Sequence, residues 1–253
     1  MIIDHATKEN ILKSARTEFS LHGFLGARLA VIAENAGINK ALIHYYFKSK
    51  DLLYENVWES FFVLDDNLEN IPIYFDNISF TIPEKLYLYI YIVINMTAKF
   101  IDMELINIFL WELAEGGRFL DKFHDKHFYP SHNFFDSILE AGEKKGIFDL
   151  KYKEMILLGI SSINFFYKVE KSRNSQYRSY LKISSENMDE EFLDFMINYV
   201  FKMLSPQDKP IPIPEIKPEI LEYINKLLHL DLNKISIPVS RRILEVLCND
   251  LVQ

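Results

Sequence analysis

Three observations predict an all-α fold. Apolar residues recur at spacings of three and four along nearly the whole chain. Turn clusters of the kind that punctuate successive strands are few. The periodic segments also begin and end on residues that cap or stop helices, such as Asn39, Ser49, Gly37 and Pro83. The expected layout is a three-helix head over residues 1–50, a larger helical body over 51–205, a proline-rich linker over 206–218 and a C-terminal helical extension over 219–253.

Taken in order, Ile11, Leu12, Ala15 and Phe19 mark a first amphipathic helix that Gly23 closes. Leu29, Ile32 and Ala33 mark a short second helix ended by Ala36-Gly37, where glycine accepts a left-handed conformation. A third starts after Asn39, whose side chain suits an N-cap, and runs to about Phe47. Ser49 caps a fourth that carries Leu52, Leu53, Val57, Phe61 and Leu64 along one side and links head to body. Pro83 opens a helix over 84–100 and another spans 103–115, broken by Gly116-Gly117. The run Leu86 to Tyr91 alternates apolar and aromatic residues, so a strand competes locally; its helical surroundings favour helix. Further helices fit Ser131–Lys145, Tyr152–Lys168 and Met188–Leu204. Pro206, Pro210, Pro212, Pro214 and Pro218 favour an extended, semi-rigid linker, after which helices fit Glu219–Leu230 and Pro238–Leu251.

The 253 residues are 49% hydrophobic, 25% charged and 14% aromatic, an ordinary globular balance with large apolar interiors. Cys248 is the single cysteine, which excludes an intramolecular disulfide. No leading apolar segment with a basic flank resembles a secretory signal, so the cytoplasm is the expected compartment. The longest uncharged stretch, Leu86 to Ala98, has 13 residues. A membrane-spanning helix needs roughly 20, so no membrane partner is expected. A net charge of −8 argues against nucleic acid as a general partner, yet residues 1–60 hold seven Lys and Arg against seven Asp and Glu. All the excess acid therefore lies downstream, and a neutral head on an acidic body is compatible with local DNA binding.

Two short helices joined by a glycine-containing turn are what a helix-turn-helix requires, the first bracing the second against the major groove. On the third helix Ile43 and Phe47, four apart, would pack against the second helix, while Ala41, His44, Tyr45 and Lys48 make the opposite stripe. Lys40 and His44 suit base edges or phosphates, and Tyr45 and Tyr46 suit phosphates while their rings cover sugar or a thymine methyl. Lys48 and Lys50 would flank the DNA backbone. Arg28 would approach a phosphate beside the positive end of the second helix.

Ile32-Ala33, Ala36-Gly37-Ile38, Tyr45-Tyr46-Phe47 and Lys48-Ser49-Lys50-Asp51-Leu52-Leu53, preceded by Ile11-Leu12, Ala15, Phe19 and Gly23-Phe24, resemble the N-terminal signature of TetR-family transcriptional regulators. The resemblance covers residues 7–54, about a fifth of the chain. It implies a homodimer that represses from a palindromic double-stranded operator and is released by a small-molecule effector held in the body. It also implies recognition contacts from Lys40, Ala41, Leu42, His44 and Tyr45 and a phosphate contact from Lys50. Three positions depart from the family pattern: Ala27 stands for a capping threonine, Leu42 for a hydroxyl residue and His44 for a tyrosine.

The run Leu139 to Phe148 is similar to a phrase that precedes the family's dimerisation helices. That resemblance implies a dimer face on the last two body helices, and a broad stripe there supplies Phe192, Phe195, Met196, Tyr199 and Met203, with Gly159 and Ser162 admitting a close partner. Closing the monomer's own core is the competing reading of the same stripe. Tyr87, Tyr91, Asn95, Phe109, Trp111, Phe134, Phe135 and Phe165 are the candidate lining of a ligand pocket, suited to an apolar or aromatic guest. His124 and His127, with Asp121, Asp125 and His132, have metal-like spacing but read as a solvated helix end, so no metal and no cofactor is expected. No nucleophile elbow or phosphate-cradling glycine loop is present, which argues against an enzyme. A helical small-molecule or lipid-binding protein, or an adaptor, is the alternative reading.

Overall fold

A computed structural model describes residues 5–61, 79–100, 102–123, 129–172 and 188–229. Among them are eleven helices and no strand: α1 (His5–Gly26), α2 (Leu29–Asn35), α3 (Lys40–Phe47), α4 (Lys50–Ser60), α5 (Ile82–Phe100), α6 (Met103–Ala114), α7 (Leu120–Phe123), α8 (Tyr129–Lys144), α9 (Lys153–Ser172), α10 (Met188–Leu204) and α11 (Pro218–His229). The helix expected over Pro238–Leu251 lies outside the described residues. No described helix is long and apolar enough to cross a membrane.

The chain forms two compact units, one of Met1–Val63 with Asp102–Phe128 and one of Leu64–Ile101 with Tyr129–Gln253. This corrects the expected division at residue 50, because α4, α6 and α7 belong with the head. The cause is side-chain chemistry between residues 86 to 88 apart in sequence. Arg16 on α1 binds Asp102 (Nη2 to Oδ2, 2.5 Å) and Glu104 (Nε to Oε2, 3.0 Å), and the Thr17 hydroxyl donates to Glu104 at 2.8 Å. Asp102 also caps α6 by accepting from the Leu105 amide at 2.9 Å. Between α1, α4 and α7 lies an aromatic core in which Tyr54 meets Phe19, Phe24 and Phe119 at centroid distances of 4.7, 5.2 and 5.0 Å, and Trp58 stacks on Phe123 at 4.8 Å. Each such buried ring stabilises the unit by about 1.5–3 kcal/mol relative to exposure.

The second unit is built around α5. Its start is a reciprocal cap, in which the Thr81 amide donates to Glu84 at 2.7 Å and Pro83 sits in the first turn. Leu86, Leu88, Tyr89, Ile90, Tyr91 and Ile92 are all buried. A helix covered on all sides has apolar residues at every spacing, which is why this stretch also read as a strand. Phe135, Leu139, Ile156, Met196, Val200 and Phe201 from α8, α9 and α10 complete the core with it. Where α8 stops, the Ile147 amide donates to the Gly142 carbonyl at 2.8 Å. The Asp149 amide then donates to the Leu204 carbonyl at 2.8 Å, tying the α8–α9 connection to the end of α10.

The proline-rich stretch is not a separating linker. Its Ile211 is partly buried against this core and Ile216 is buried in it, followed by Ile220 and Ile224 on α11. The described part of the C-terminal extension is therefore a layer of the second unit.

Candidate nucleic-acid interface

The putting-together of the head starts at the turn between α2 and α3. Gly37 takes φ 66°, a conformation costly for a residue with a side chain, and its amide donates to Glu34 while that of Ile38 donates to Ala33, each at 3.0 Å. Asn39 then caps α3 by accepting from the Ala41 amide at 2.9 Å. Ile32 and Ala33 of α2 and Ile43 and Phe47 of α3 are buried, as the spacing required. The opposite side of α3 is thereby turned outward, and Lys40, Ala41, Leu42, His44 and Tyr45 are all exposed. Tyr45 is 57% exposed and meets the half-buried Tyr46 edge-on at 5.2 Å.

The flanking cations differ. Arg28 is exposed at the N-cap of α2, with no side-chain cap on that helix, as the missing hydroxyl at Ala27 implied. Lys48 is exposed and its Nζ donates to the Tyr45 carbonyl at 2.9 Å. Lys50 is turned inward: Nζ donates to the Ala27 carbonyl at 2.6 Å, lies 3.5 Å from that of Leu25 and stands 5.0 Å from the Phe24 ring centre. Burial holds its ammonium below the ordinary lysine range, against the opposing pull of Glu115, Asp51 and Glu18. Lys50 is thus turned onto two carbonyls at the junction of α1 and α2, whereas Lys48, which donates to a single carbonyl of its own helix, is exposed.

Two carboxylates essential to this geometry were missed in the sequence. Glu18 is 5% exposed and its Oε1 accepts from the Arg28 amide at 3.0 Å, fixing the start of α2. Its position three after Ala15 and seven after Ile11 puts it on the buried side of α1, so an acid within that apolar stripe was the available signal. Glu115, after α6, accepts from the Phe24 amide at 3.1 Å and from the Leu25 amide at 3.2 and 3.3 Å. No local pattern marks it.

The eight candidate pocket residues do not share one unit. Phe109 and Trp111 lie on α6 in the first, where the Trp111 indole donates to the Ser20 carbonyl at 3.2 Å. Tyr87, Tyr91, Asn95, Phe134, Phe135 and Phe165 lie in the second, with Phe135 fully buried. There Tyr87 stacks on Tyr91 with centroids 6.4 Å apart, and the Asn95 amide group donates to the Tyr91 carbonyl at 2.8 Å. Of the dimer-face candidates, Met196 is fully buried and Phe192 is stacked on Tyr167 at 3.7 Å, so both serve their own unit's core. Gly159 is covered by Tyr199 of the same chain, whose Oη stands 2.5 Å from where a Cβ would be. Ser162 is half-buried, while Phe195 and Met203 are exposed, joined by Met155, Leu158 and Phe166 on α9, the last 63% exposed. His124, Asp125 and His127 lie outside the described residues, and among the described ones no three His, Cys, Asp or Glu cluster as metal ligands.

Residues 11–57 match the family model described as bacterial regulatory proteins, tetR family. Over 49 residues the chain is 51% identical to the HTH-type transcriptional regulator RutR of Escherichia coli strain K12, covering 19% of this chain and 23% of RutR. Over 53 residues it is 45% identical to the HTH-type transcriptional repressor NicS of Pseudomonas putida strain KT2440, covering 21% and 25%. The matched segment is thus about a quarter of the length of these relatives. The fold as a whole is similar to the crystal structure of HlyIIR, a hemolysin II transcriptional regulator, with TM-score 0.54 and 24% identity over 79% of this chain and 98% of that one.

Proposed function

We propose, from a chain whose residues 11–57 belong to the tetR family of bacterial regulatory proteins, that it is a DNA-binding transcriptional repressor acting as a homodimer and released by a small apolar or aromatic effector. The observation that carries this reading is the outward face of α3, where Lys40, Ala41, Leu42, His44 and Tyr45 are exposed while Ile43 and Phe47 anchor the helix. A helix so presented enters the major groove with its N-terminal residues on base edges. Arg28, Tyr46 and Lys48 then bind phosphates and fix the register. Lys50 acts one step back, holding the carbonyls that end α1 in place for Arg28.

The exposed stripe of Met155, Leu158 and Phe166 on α9 with Phe195 and Met203 on α10 supports a four-helix interface with a second copy. Two copies would address a palindrome whose half-sites are about 10–10.5 base pairs apart or a multiple of that. The effector acts through differential affinity: it favours a state in which α4 tilts and the two recognition helices no longer match successive grooves. Work inside a bacterial cytoplasm follows from this role.

Selection from a random double-stranded pool at low salt is the test. Enrichment of one palindromic sequence, with affinity falling steeply as salt rises, is expected. Recovery of no preferred sequence by a dimeric, folded protein would sink the proposal.

A further inference from the structure

We infer that α11 is a displaceable plug, occupying a groove of the second unit that an apolar molecule carrying a hydrogen-bond acceptor takes when the plug leaves. The inference rests on the reading above that a small apolar or aromatic effector releases the protein, and it assigns that effector to this unit. It identifies both the resident of the site and the chemistry of its competitor.

Ile216, Ile220 and Ile224 recur every four residues and are all buried in the unit's core, while Lys217, Glu219 and Glu222 are exposed. The helix therefore lies on the unit by one apolar edge. Its polar anchor is Asn225, whose Oδ1 accepts from the Tyr91 hydroxyl at 2.9 Å. Tyr91 is buried, and Tyr87 and Asn95 contact it from neighbouring turns of α5. These three residues are among those the sequence marked as pocket lining. When Asn225 departs and a guest seals the groove from water, the phenol donor needs a new acceptor, which an incoming carbonyl, carboxylate or sulfonate oxygen supplies. An apolar guest lacking such an atom does not.

The connection to α11 suits this exchange. Residues 206–217 are not helical, and Pro206, Pro210, Pro212 and Pro214 restrict the backbone there. The segment is pinned at its base, where the Ser205 hydroxyl donates to the Phe201 carbonyl at 2.8 Å and accepts from the Ile211 amide at 2.9 Å. α11 therefore leaves and returns on a short semi-rigid arm without unravelling α10. A helix of 12 residues is also marginal in water by itself, so release and unwinding are coupled and the element has two discrete states.

The experiment is a titration of the full-length chain, without DNA, with 1-anilinonaphthalene-8-sulfonate, whose rings and sulfonate satisfy both requirements. Expected for Ile220→Asn with Ile224→Asn is probe affinity at least tenfold tighter than the parent's, at one site per chain, displaced by a peptide of residues 216–229. Tyr91→Phe added to that variant should weaken the probe at least threefold. Affinity within twofold of the parent's, or no effect of Tyr91→Phe, overturns the inference. Should the double variant lose its cooperative melt, Asn225→Ala decides, since it leaves the apolar edge intact: two- to fivefold tighter binding supports the plug, and unchanged binding overturns it. Failure to select DNA would sink the regulatory reading and leave this result standing.

Discussion

Gly23 interrupts α1 with φ 66° and ψ −177°, a region that is essentially reserved for glycine, and a Cβ there would stand 2.4 Å from Glu115 Oε1. The backbone kink and the carboxylate are one device: past the kink the Phe24 and Leu25 amides both donate to Glu115. Gly23→Ala should therefore destabilise the head by about 1–3 kcal/mol through strain. Glu115→Ala should cost about 1–3 kcal/mol through two amides left without their ionic acceptor. Because each removes the seat of the other, the double variant in urea denaturation should fall well short of the sum, and strict additivity would refute the coupling. The cations separate by the same logic. Arg28→Ala should leave the melt unchanged and lower the salt slope of DNA binding by about one, as for a lost phosphate contact. Lys50→Ala should instead lower stability by about 0.5–1.5 kcal/mol, through the carbonyls of Ala27 and Leu25. An unchanged melt for Lys50→Ala, with a reduced salt slope, would return that residue to the DNA backbone.

At the scale of elements, a helix of only eight residues, such as α3, depends on how it starts. Asn39→Ala removes the acceptor of the Ala41 amide and should cost about 1 kcal/mol, seen both in the melt and in operator affinity. Such helix starts were legible at Asn39 and Ser49, which cap where their types say they should; the start of α5 was read from Pro83, and its Thr81–Glu84 cap was passed over. Element type was legible too, including α5, where the surroundings outweighed local alternation. The pairing of elements was not: nothing near Arg16 states that its partners are Asp102 and Glu104. Periodicity says that a face is buried and is silent about what buries it, which is why Met196 and Phe192 read as a dimer face and serve the core. A polar clasp between α9 and α10 shows the same. Burial first, then its hydrogen bond to Asp189 at 2.5 Å, raises the Tyr167 phenol well above the ordinary range. Burial pushes Asp189 up, but hydrogen bonds from Lys171 and Tyr167 outweigh it and hold the carboxyl below its usual value. The phenol's contribution is complete below its unfolded pKa of about 10 and is lost as pH rises through the folded value. The parent should thus lose stability in strongly alkaline solution, and Tyr167→Phe should flatten that limb. An identical alkaline limb in both proteins would exclude the clasp as its source.

At the scale of the whole molecule, the proposed binding of a polyanion by a chain of net charge −8 must be confined to its head, where the first 60 residues are neutral overall. One head offers one short helix to the groove, with a modest set of contacts, and specific affinity at physiological salt then requires two heads on one palindrome. On the proposed reading, dimerisation is therefore a condition for operator binding. The test belongs on the exposed stripe rather than on the buried residues of the same helices. Leu158→Glu with Phe166→Glu places two carboxylates on positions that are open in the single chain, so the helical fold has no reason to suffer. In a symmetric four-helix contact each would face its own kind across the axis, where like charges with little solvent are strongly unfavourable. The expected result by sedimentation is a monomer with an unchanged circular-dichroism spectrum. Its affinity for the full palindrome should drop to that for an isolated half-site, because the second head no longer binds at high effective concentration. A variant that stays dimeric, or that binds the palindrome as the parent does, would place the interface elsewhere on the molecule and detach operator symmetry from α9 and α10.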